Sequence, residues 1–283
     1  MLDLSLIRPI IQSALSEDIG RGDITSQAIA PSSLRGKACI IAEEEGILAG
    51  IEVAKEVFRL TSGQKVEFIS ELRDKDSLKG GLPILILQTS VLAILKGERV
   101  ALNFLGRLSG IATLTKGYVD LTSPFRVKIL DTRKTTPNLR ILEKYAVRTG
   151  GGVSHRFGLD SGILIKDNHI QICGRLKKAV ERVRQAIPPF WKIEVEVNDL
   201  SQAKEAVEIG VEAIMLDNMR LEEIKKAVNL IRQKNKEIII EASGGINLEN
   251  VADVAKSGVD LISVGSLTHS ARNLNMRLEI MKE

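Results

Sequence analysis

From about residue 125 onward the chain falls into a repeating rhythm that constrains its fold more than any other feature. Six short runs rich in Ile, Val and Leu lie at 127–130, 163–166, 192–197, 213–216, 238–241 and 261–264. Amphipathic stretches such as 200–207 and 221–231 separate them. Buried apolar strands alternating with helices predict a parallel sheet covered by helices. Six such units within roughly 150 residues suit a barrel, whole or incomplete, better than an open doubly wound sheet. No G-x-G-x-x-G follows the first run, which counts against a dinucleotide fold. The expected class is therefore α/β, an incomplete parallel TIM-like barrel over residues 111–271 behind an N-terminal α+β domain over 1–110. The C-terminal tail 272–283 is a candidate to rejoin that first domain.

The first hundred residues read differently. Leu4, Ile7, Ile11, Ala14 and Leu15 recur at helical spacing, and EDIGRGDIT then supplies a turn. Apolar runs at 38–42, 66–70 and 84–87 surround a helical pattern at Ile51, Ala54, Val57 and Phe58. A longer helical segment, Val91 to about Leu108, leads out of this region. The only two cysteines, Cys39 and Cys173, form no C-x-x-C, so a disulfide framework is excluded and a reducing cytoplasm fits. The longest apolar stretch, 82–95, is broken by Gln88-Thr89-Ser90 and is too short to span a membrane. The start, MLDLSLIRPI, lacks the basic and apolar regions of a signal peptide, so a soluble cytoplasmic protein is expected.

Charge is concentrated. The whole chain carries 40 Lys and Arg against 36 Asp and Glu. Residues 99–170 alone hold 12 basic and 5 acidic residues, a local net of +7, so the remainder is slightly acidic. A nucleic-acid binder could show such a stretch. With aromatics at only 3%, however, a base-stacking platform is not expected. A site for small polyanions is the better reading, against the plain alternative of a solvated basic face.

Each apolar run ends in chemistry. The series is Asp131-Thr132-Arg133-Lys134, Lys166-Asp167-Asn168-His169, Glu194 with Glu196, Asp217-Asn218, Glu241 to Gly245, and Ser263 to Ser266. In parallel barrels the C-terminal strand ends converge on one face, where catalytic groups collect. ASGGI and SVGSLT are paired late glycine turns whose free N–H groups suit a phosphate. Glu196 and Asp217 are hard oxygen ligands suited to Mg²⁺ beside phosphates, or else partners for the surplus cations. His155, His169 and His269 lack zinc spacing, and no G-x-S-x-G elbow occurs. Lys134 and Lys166 at strand ends also allow Schiff-base chemistry, as in barrel aldolases.

DTRKTTPNLR (131–140), TGGGVSHRFGLDSGILIKDNHI (149–170), EVEV (194–197), IMLDN (214–218), EASGGI (241–246) and DLISVGSLTHS (260–270) together resemble the quinolinate phosphoribosyltransferases. EDIGRGDIT and GERVALNFLGRLSGIAT (97–113) fit that family's first domain, so the resemblance spans nearly the whole chain. Asn138 departs from it, standing where the family usually has glycine. Asn tolerates the left-handed conformation better than most residues, so the turn should survive.

The resemblance implies phosphoribosyl transfer from phosphoribosyl pyrophosphate to quinolinate, with loss of pyrophosphate and CO2. It implies that Arg133, His155, Arg156 and Lys166 surround the two quinolinate carboxylates. For His155 an equal rival is a structural histidine that orders the Arg156 loop. Lys134, Glu196, Asp217, Ser243, Gly244, Gly245, Ser263 and Gly265 would hold phosphoribosyl pyrophosphate and Mg²⁺, with Lys134, Lys166, Glu196 and Asp217 the catalytic set. It further implies a homodimer, or a multiple of dimers, in which Arg99 reaches the neighbour's site. The face around Val100, Phe104 and Leu108 would then supply self-complementary contacts. A molybdate-transport-associated relative of the same fold, a Schiff-base aldolase using Lys166 and a non-catalytic phosphoribosyl-binding regulator stay as alternatives. Neither nucleic acid nor membrane is an expected partner.

Overall fold

The computed structural model describes residues 2–69 and 72–281, which form two compact units. The first groups 1–116, 136–151 and 270–283, and the second 117–135 and 152–269. The C-terminal tail thus belongs with the N-terminal region, and so does the stretch 136–151 from the middle of the chain.

In chain order the first ninety residues give α1 (Leu4–Ile19), α2 (Ile24–Ile29), β1 (Arg35–Ala42), β2 (Gly46–Ile47), α3 (Ile51–Ser62), β3 (Glu67–Ile69), β4 (Ser77–Leu78) and β5 (Pro83–Ser90). The helix α4 (Val91–Thr122) follows. Helical spacing in α1 buries Ile7, Ile11 and Leu15 together, and Asp3 caps its start by accepting from the Ser5 N–H. The expected EDIGRGDIT turn shrinks to residues 20–23, because α1 runs on to Ile19 and Asp23 caps α2. Of the run at 66–70, Glu67–Ile69 form β3, Val66 precedes the strand, and Ser70 lies outside the described residues. A final strand, Met276–Met281, pairs antiparallel with β1 and completes a four-stranded sheet with β5 and β3. The tail therefore joins the first unit through a ladder of backbone hydrogen bonds.

The helix α4 is longer than its apolar pattern suggested, and it corrects one expectation. Val100, Phe104 and Leu108 are buried in this chain itself. They are core residues and offer no free face to a second copy. Later on the same helix, Gly110 has no room for a side chain. A Cβ there would come 1.9 Å from the Arg272 carbonyl oxygen, a backbone atom that cannot rotate away. Gly110→Ala should cost about 3 kcal/mol through overpacking and lower Tm by several degrees, read by calorimetry. An unchanged Tm would refute this close packing.

The second unit contains the expected strands. They are β6 (Lys128–Leu130), β7 (Ile163–Ile165), β8 (Ile193–Val197), β9 (Ala213–Asp217), β10 (Ile239–Ser243) and β11 (Leu261–Ser263). After β6 comes α5 (Arg140–Thr149), which clusters with the first unit. After β7 come α6 (Asp167–Cys173) and α7 (Leu176–Ala186), and α8 (Leu200–Ile209) follows β8. Next are α9 (Leu221–Lys234), α10 (Val251–Lys256) and α11 (Ser266–His269), and the Met276–Met281 strand is β12. The strands pair in parallel in the order β6-β11-β10-β9-β8-β7. The first strand lies beside the last, as in a barrel, and no ladder joins β6 to β7 among the described residues. This is the incomplete TIM-like barrel.

Strand alternation sorts the side chains. In β8, Ile193, Val195 and Val197 are buried on one face, leaving Glu194 and Glu196 on the other. In β9, Ile214 and Leu216 are fully buried, while Met215 and Asp217 share the opposite face. Burying each such Ile, Leu or Val stabilises the unit by about 1.5–3 kcal/mol. The apolar residues thereby dictate which way the acidic ones point.

Candidate active site

The strand ends enclose a cavity of about 480 Å³ in the second unit. Every expected site residue but one lines it: Arg133, Lys134, His155, Arg156, Lys166, Glu196, Asp217, Ser243, Gly244, Gly245, Ser263 and Gly265. The exception, Arg99, lies on α4 in the first unit. It is exposed, and its side chain makes no hydrogen bond or ion pair among the described residues. Leu164, Met215, Ile246 and Val264 add apolar wall.

Local bonds hold the cations in place. On the segment after β6, the Lys134 N–H donates to the Thr132 hydroxyl at 3.0 Å, and its carbonyl accepts from the Thr268 hydroxyl at 2.7 Å. The Lys134 stem also packs on Gly265, where a Cβ would stand 3.0 Å from its Cδ. The next loop is tied to β6 by the Val153 N–H, which donates to the Ile129 carbonyl, and by the His155 N–H, which donates to Asp131. That loop carries Arg156, whose guanidinium donates to the Gly162 carbonyl at 3.0 Å. Burial and the neighbouring Arg133 charge hold the Arg156 guanidinium below its usual range, with Glu194 acting the other way. Both guanidiniums line the same cavity, where such a pair suits an anion.

The acids are equally engaged. The Lys166 ammonium is hydrogen-bonded to Glu196 Oε2. This contact ties the Lys166 ammonium to Glu196, which opposes its use as a free Schiff-base nucleophile. Asn218, at φ +53°, donates through its side chain to Asp217 Oδ2 at 2.6 Å and through its backbone to the Ser243 carbonyl. The second oxygens of Glu196 and Asp217 accept no hydrogen bond among the described residues. Two hard carboxylates with free oxygens fit Mg²⁺, which takes one or two protein ligands beside substrate phosphates.

After β10, Gly244 and Gly245 both adopt left-handed conformations, at φ +85° and +64°. The chain then forms an Asn-bracketed turn, in which Asn247 Oδ1 accepts from the Glu249 and Asn250 N–H groups, before α10 begins at Val251. The helix thus starts later than the glycine motif alone suggested. Beneath the cavity, Glu194 and Glu241 form with His155 a compact cluster, although neither acid lines the cavity itself. Burial, and then the Glu194 charge, push the Glu241 carboxyl well above the usual carboxylate range.

Sequence reading missed His269, which lines the cavity from α11 one turn beyond Gly265. A polar residue one helical turn past a strand-end glycine was the available signal. It also gave no role to Asn218, whose contacts cross between two strands.

Family models for the N-terminal and C-terminal domains of quinolinate phosphoribosyl transferase match residues 23–109 and 111–279. The chain is 42% identical over 277 residues to a probable nicotinate-nucleotide pyrophosphorylase [carboxylating] of Synechocystis, covering 98% of this chain and 93% of that one. It is 41% identical to the nicotinate-nucleotide pyrophosphorylase [carboxylating] of Mycobacterium leprae, covering 96% of each. The crystal structure of NadC from Streptococcus pyogenes superposes with a TM-score of 0.93 at 42% identity, covering 100% of this chain and 99% of that one. None of these is a molybdate-transport protein or an aldolase.

Proposed function

The chain belongs to the quinolinate phosphoribosyl transferase family, and from that premise we infer how its cavity divides the work of the reaction. The protein transfers phosphoribosyl from phosphoribosyl pyrophosphate to quinolinate with decarboxylation, a step of NAD biosynthesis. The observation that carries the division of labour is a single cavity with two unlike anion sites. Arg133 and Arg156 line it, as do the Gly244–Gly245 turn, Glu196 and Asp217.

The planar guanidiniums of Arg133 and Arg156, with Lys166, suit the two ring carboxylates, because a guanidinium binds a carboxylate in bidentate fashion. Ser243, Ser263 and the backbone at Gly244, Gly245 and Gly265 suit phosphate oxygens. Glu196 and Asp217 would hold Mg²⁺, and the ion when bound offsets charge on the departing pyrophosphate. Lys134 adds a second cation for the same charge, anchored by Thr132 and Thr268. As pyrophosphate leaves, the ribose carbon becomes oxocarbenium-like and the pyridine nitrogen captures it. The bond to the adjacent carboxylate then breaks, and its electron pair stays on a ring made cationic at nitrogen. CO2 leaves, and a proton takes its place on the ring carbon. The protein's task is to align two anions, and alignment is what a rigid barrel mouth supplies.

Release of labelled CO2 from quinolinate, dependent on phosphoribosyl pyrophosphate and Mg²⁺, tests the assignment. Turnover of nicotinate with no reaction of quinolinate would overturn it. Arg133→Lys removes the fork but keeps the charge. It should weaken phthalate or quinolinate binding at least tenfold, because a charged hydrogen bond contributes about 1.5–3 kcal/mol. Affinity for phosphoribosyl pyrophosphate should change far less, and calorimetry with each ligand reads the difference.

We further place the protein in the cytoplasm, in keeping with its two unpaired cysteines. We assign it a homodimer, or a multiple of dimers, in which Arg99 serves the neighbour's cavity. The support is that the Arg99 side chain is exposed, makes no hydrogen bond or ion pair among the described residues and is absent from its own cavity lining.

A further inference from the structure

Glu143, in the first turn of α5, is fully buried and lines no part of the cavity. Its Oε2 accepts the Thr136 backbone N–H at 3.0 Å, and its Oε1 accepts the Thr136 hydroxyl at 2.8 Å. Arg107 on α4 donates to the same Oε1, through Nη2 at 2.7 Å and Nε at 3.1 Å. The remaining arm of the guanidinium, Nη1, donates to the Ala271 carbonyl at 2.9 Å. One buried ion pair thus grips the chain at two distant places.

Both places lie where the chain re-enters the first unit, at residues 136 and 270. Thr136 follows Lys134 and Thr135, and Ala271 follows Thr268, His269 and Ser270. The Thr268 hydroxyl itself donates to the Lys134 carbonyl at 2.7 Å. These bonds close a ring. It runs from Lys134 along the chain to Thr136, through Glu143 and Arg107 to Ala271, back along the chain to Thr268, and across to Lys134. The Ala271 side is firmly seated on α4, where the Leu274 N–H donates to the Gly106 carbonyl at 3.0 Å and Gly110 leaves no room beside Arg272. A buried ion pair is weak evidence for stability, because apolar residues of similar volume often serve as well. Beyond each other, Arg107 and Glu143 bind chain next to the Lys134–Thr268 contact, and that choice points to placement.

We propose that Glu143 and Arg107 are positioning residues for Lys134: without touching substrate, they hold the chain beyond both ends of the Lys134–Thr268 bond and so fix where the Lys134 ammonium meets the departing pyrophosphate. The proposal rests on the reading that Lys134 offsets that charge.

The test is a double-mutant cycle in the full-length enzyme, read by single-turnover release of labelled CO2 from quinolinate. Glu143→Gln keeps the size of the side chain but gives up its charge and one acceptor. It should slow release about tenfold in the wild-type background and less than about twofold in the Lys134→Ala background, because residues that act as a unit do not add. Phthalate affinity, measured by calorimetry, should stay within about twofold, since an interaction made only in the transition state leaves ground-state binding alone. Equal fold losses in both backgrounds would make Glu143 a general support of the fold and overturn the proposal. A full rate in Glu143→Gln, or a phthalate loss as large as the rate loss, would overturn it too. A wild-type rate in Lys134→Ala would instead overturn the reading of Lys134, and the positioning role with it. If Glu143→Gln does not fold, Thr136→Val carries the same cycle, because that exposed side chain loses only its hydroxyl bond. Its loss should be about threefold and should vanish in the Lys134→Ala background. A full rate in Thr136→Val, or the same loss in both backgrounds, would overturn the proposal.

Discussion

Arg99→Ala and Lys134→Ala enzymes should each be nearly inactive, and mixing them under subunit exchange should restore about a quarter of wild-type activity by random pairing of two-fold dimers. Lys134 lines the cavity, where removing one cation from a developing negative charge costs about a hundredfold or more in rate. Arg99 does not line the cavity of its own chain. If it serves a partner, a mixed dimer holds one site with both residues and one with neither. The alternative is an ordinary surface arginine, for which Arg99→Ala would leave activity near normal. Activity measured against mixing ratio, with exchange confirmed by differently tagged subunits, separates the two. No recovery on mixing would place Arg99 in its own chain's chemistry or outside chemistry altogether.

Gly244→Ala should abolish most activity, while Gly245→Ala, one residue on, should be much milder. Both glycines are left-handed, so either substitution carries about 1–2 kcal/mol of backbone strain. Only Gly244 is also crowded. A Cβ there would lie 2.2 Å from the Asn218 Oδ1 and 2.9 Å from the Asn218 backbone nitrogen, whereas at Gly245 it meets nothing within 4 Å. Asn218 cannot give way without releasing its bond to Asp217 and its backbone bond to Ser243. The expected result for Gly244→Ala is at least a hundredfold loss in kcat/KM for phosphoribosyl pyrophosphate. Gly245→Ala should lower Tm by a few degrees and leave within about tenfold of wild-type kcat/KM. Equal activity in the two variants would show that the contact with Asn218 is not what fixes Asp217.

Asn138 and Asn218 illustrate two levels of legibility. Asn138 stands where glycine is expected, and its φ of +65° is the left-handed value that Asn tolerates. Residue type and turn chemistry were sufficient there. Asn218 is also left-handed, at +53°, but its work is to join the end of β9 to the end of β10. Nothing in the string IMLDN indicates which neighbouring strand it will meet. The same holds for α5, which follows the first barrel strand in sequence and yet clusters with the first unit. Its burial of Glu143 against Arg107 is a contact between residues 36 apart in the chain.

Periodicity and strand-end chemistry, both local properties, were enough to determine the barrel, its six strands and ten of the residues that line the cavity, while His155 and Arg156 came from the family resemblance. A period of two decides which side chains face inward, and parallel connections bring every C-terminal strand end to one face. Direction and partnership were decided only in three dimensions. Whether Phe104 meets a second copy or its own core, and why a Cβ at Gly244 would meet Asn218, depend on atoms brought close by other parts of the chain. Hydrophobic patterning is written residue by residue along the chain. A hydrogen bond or a clash depends on distances of a few tenths of an ångström, and packing alone sets those.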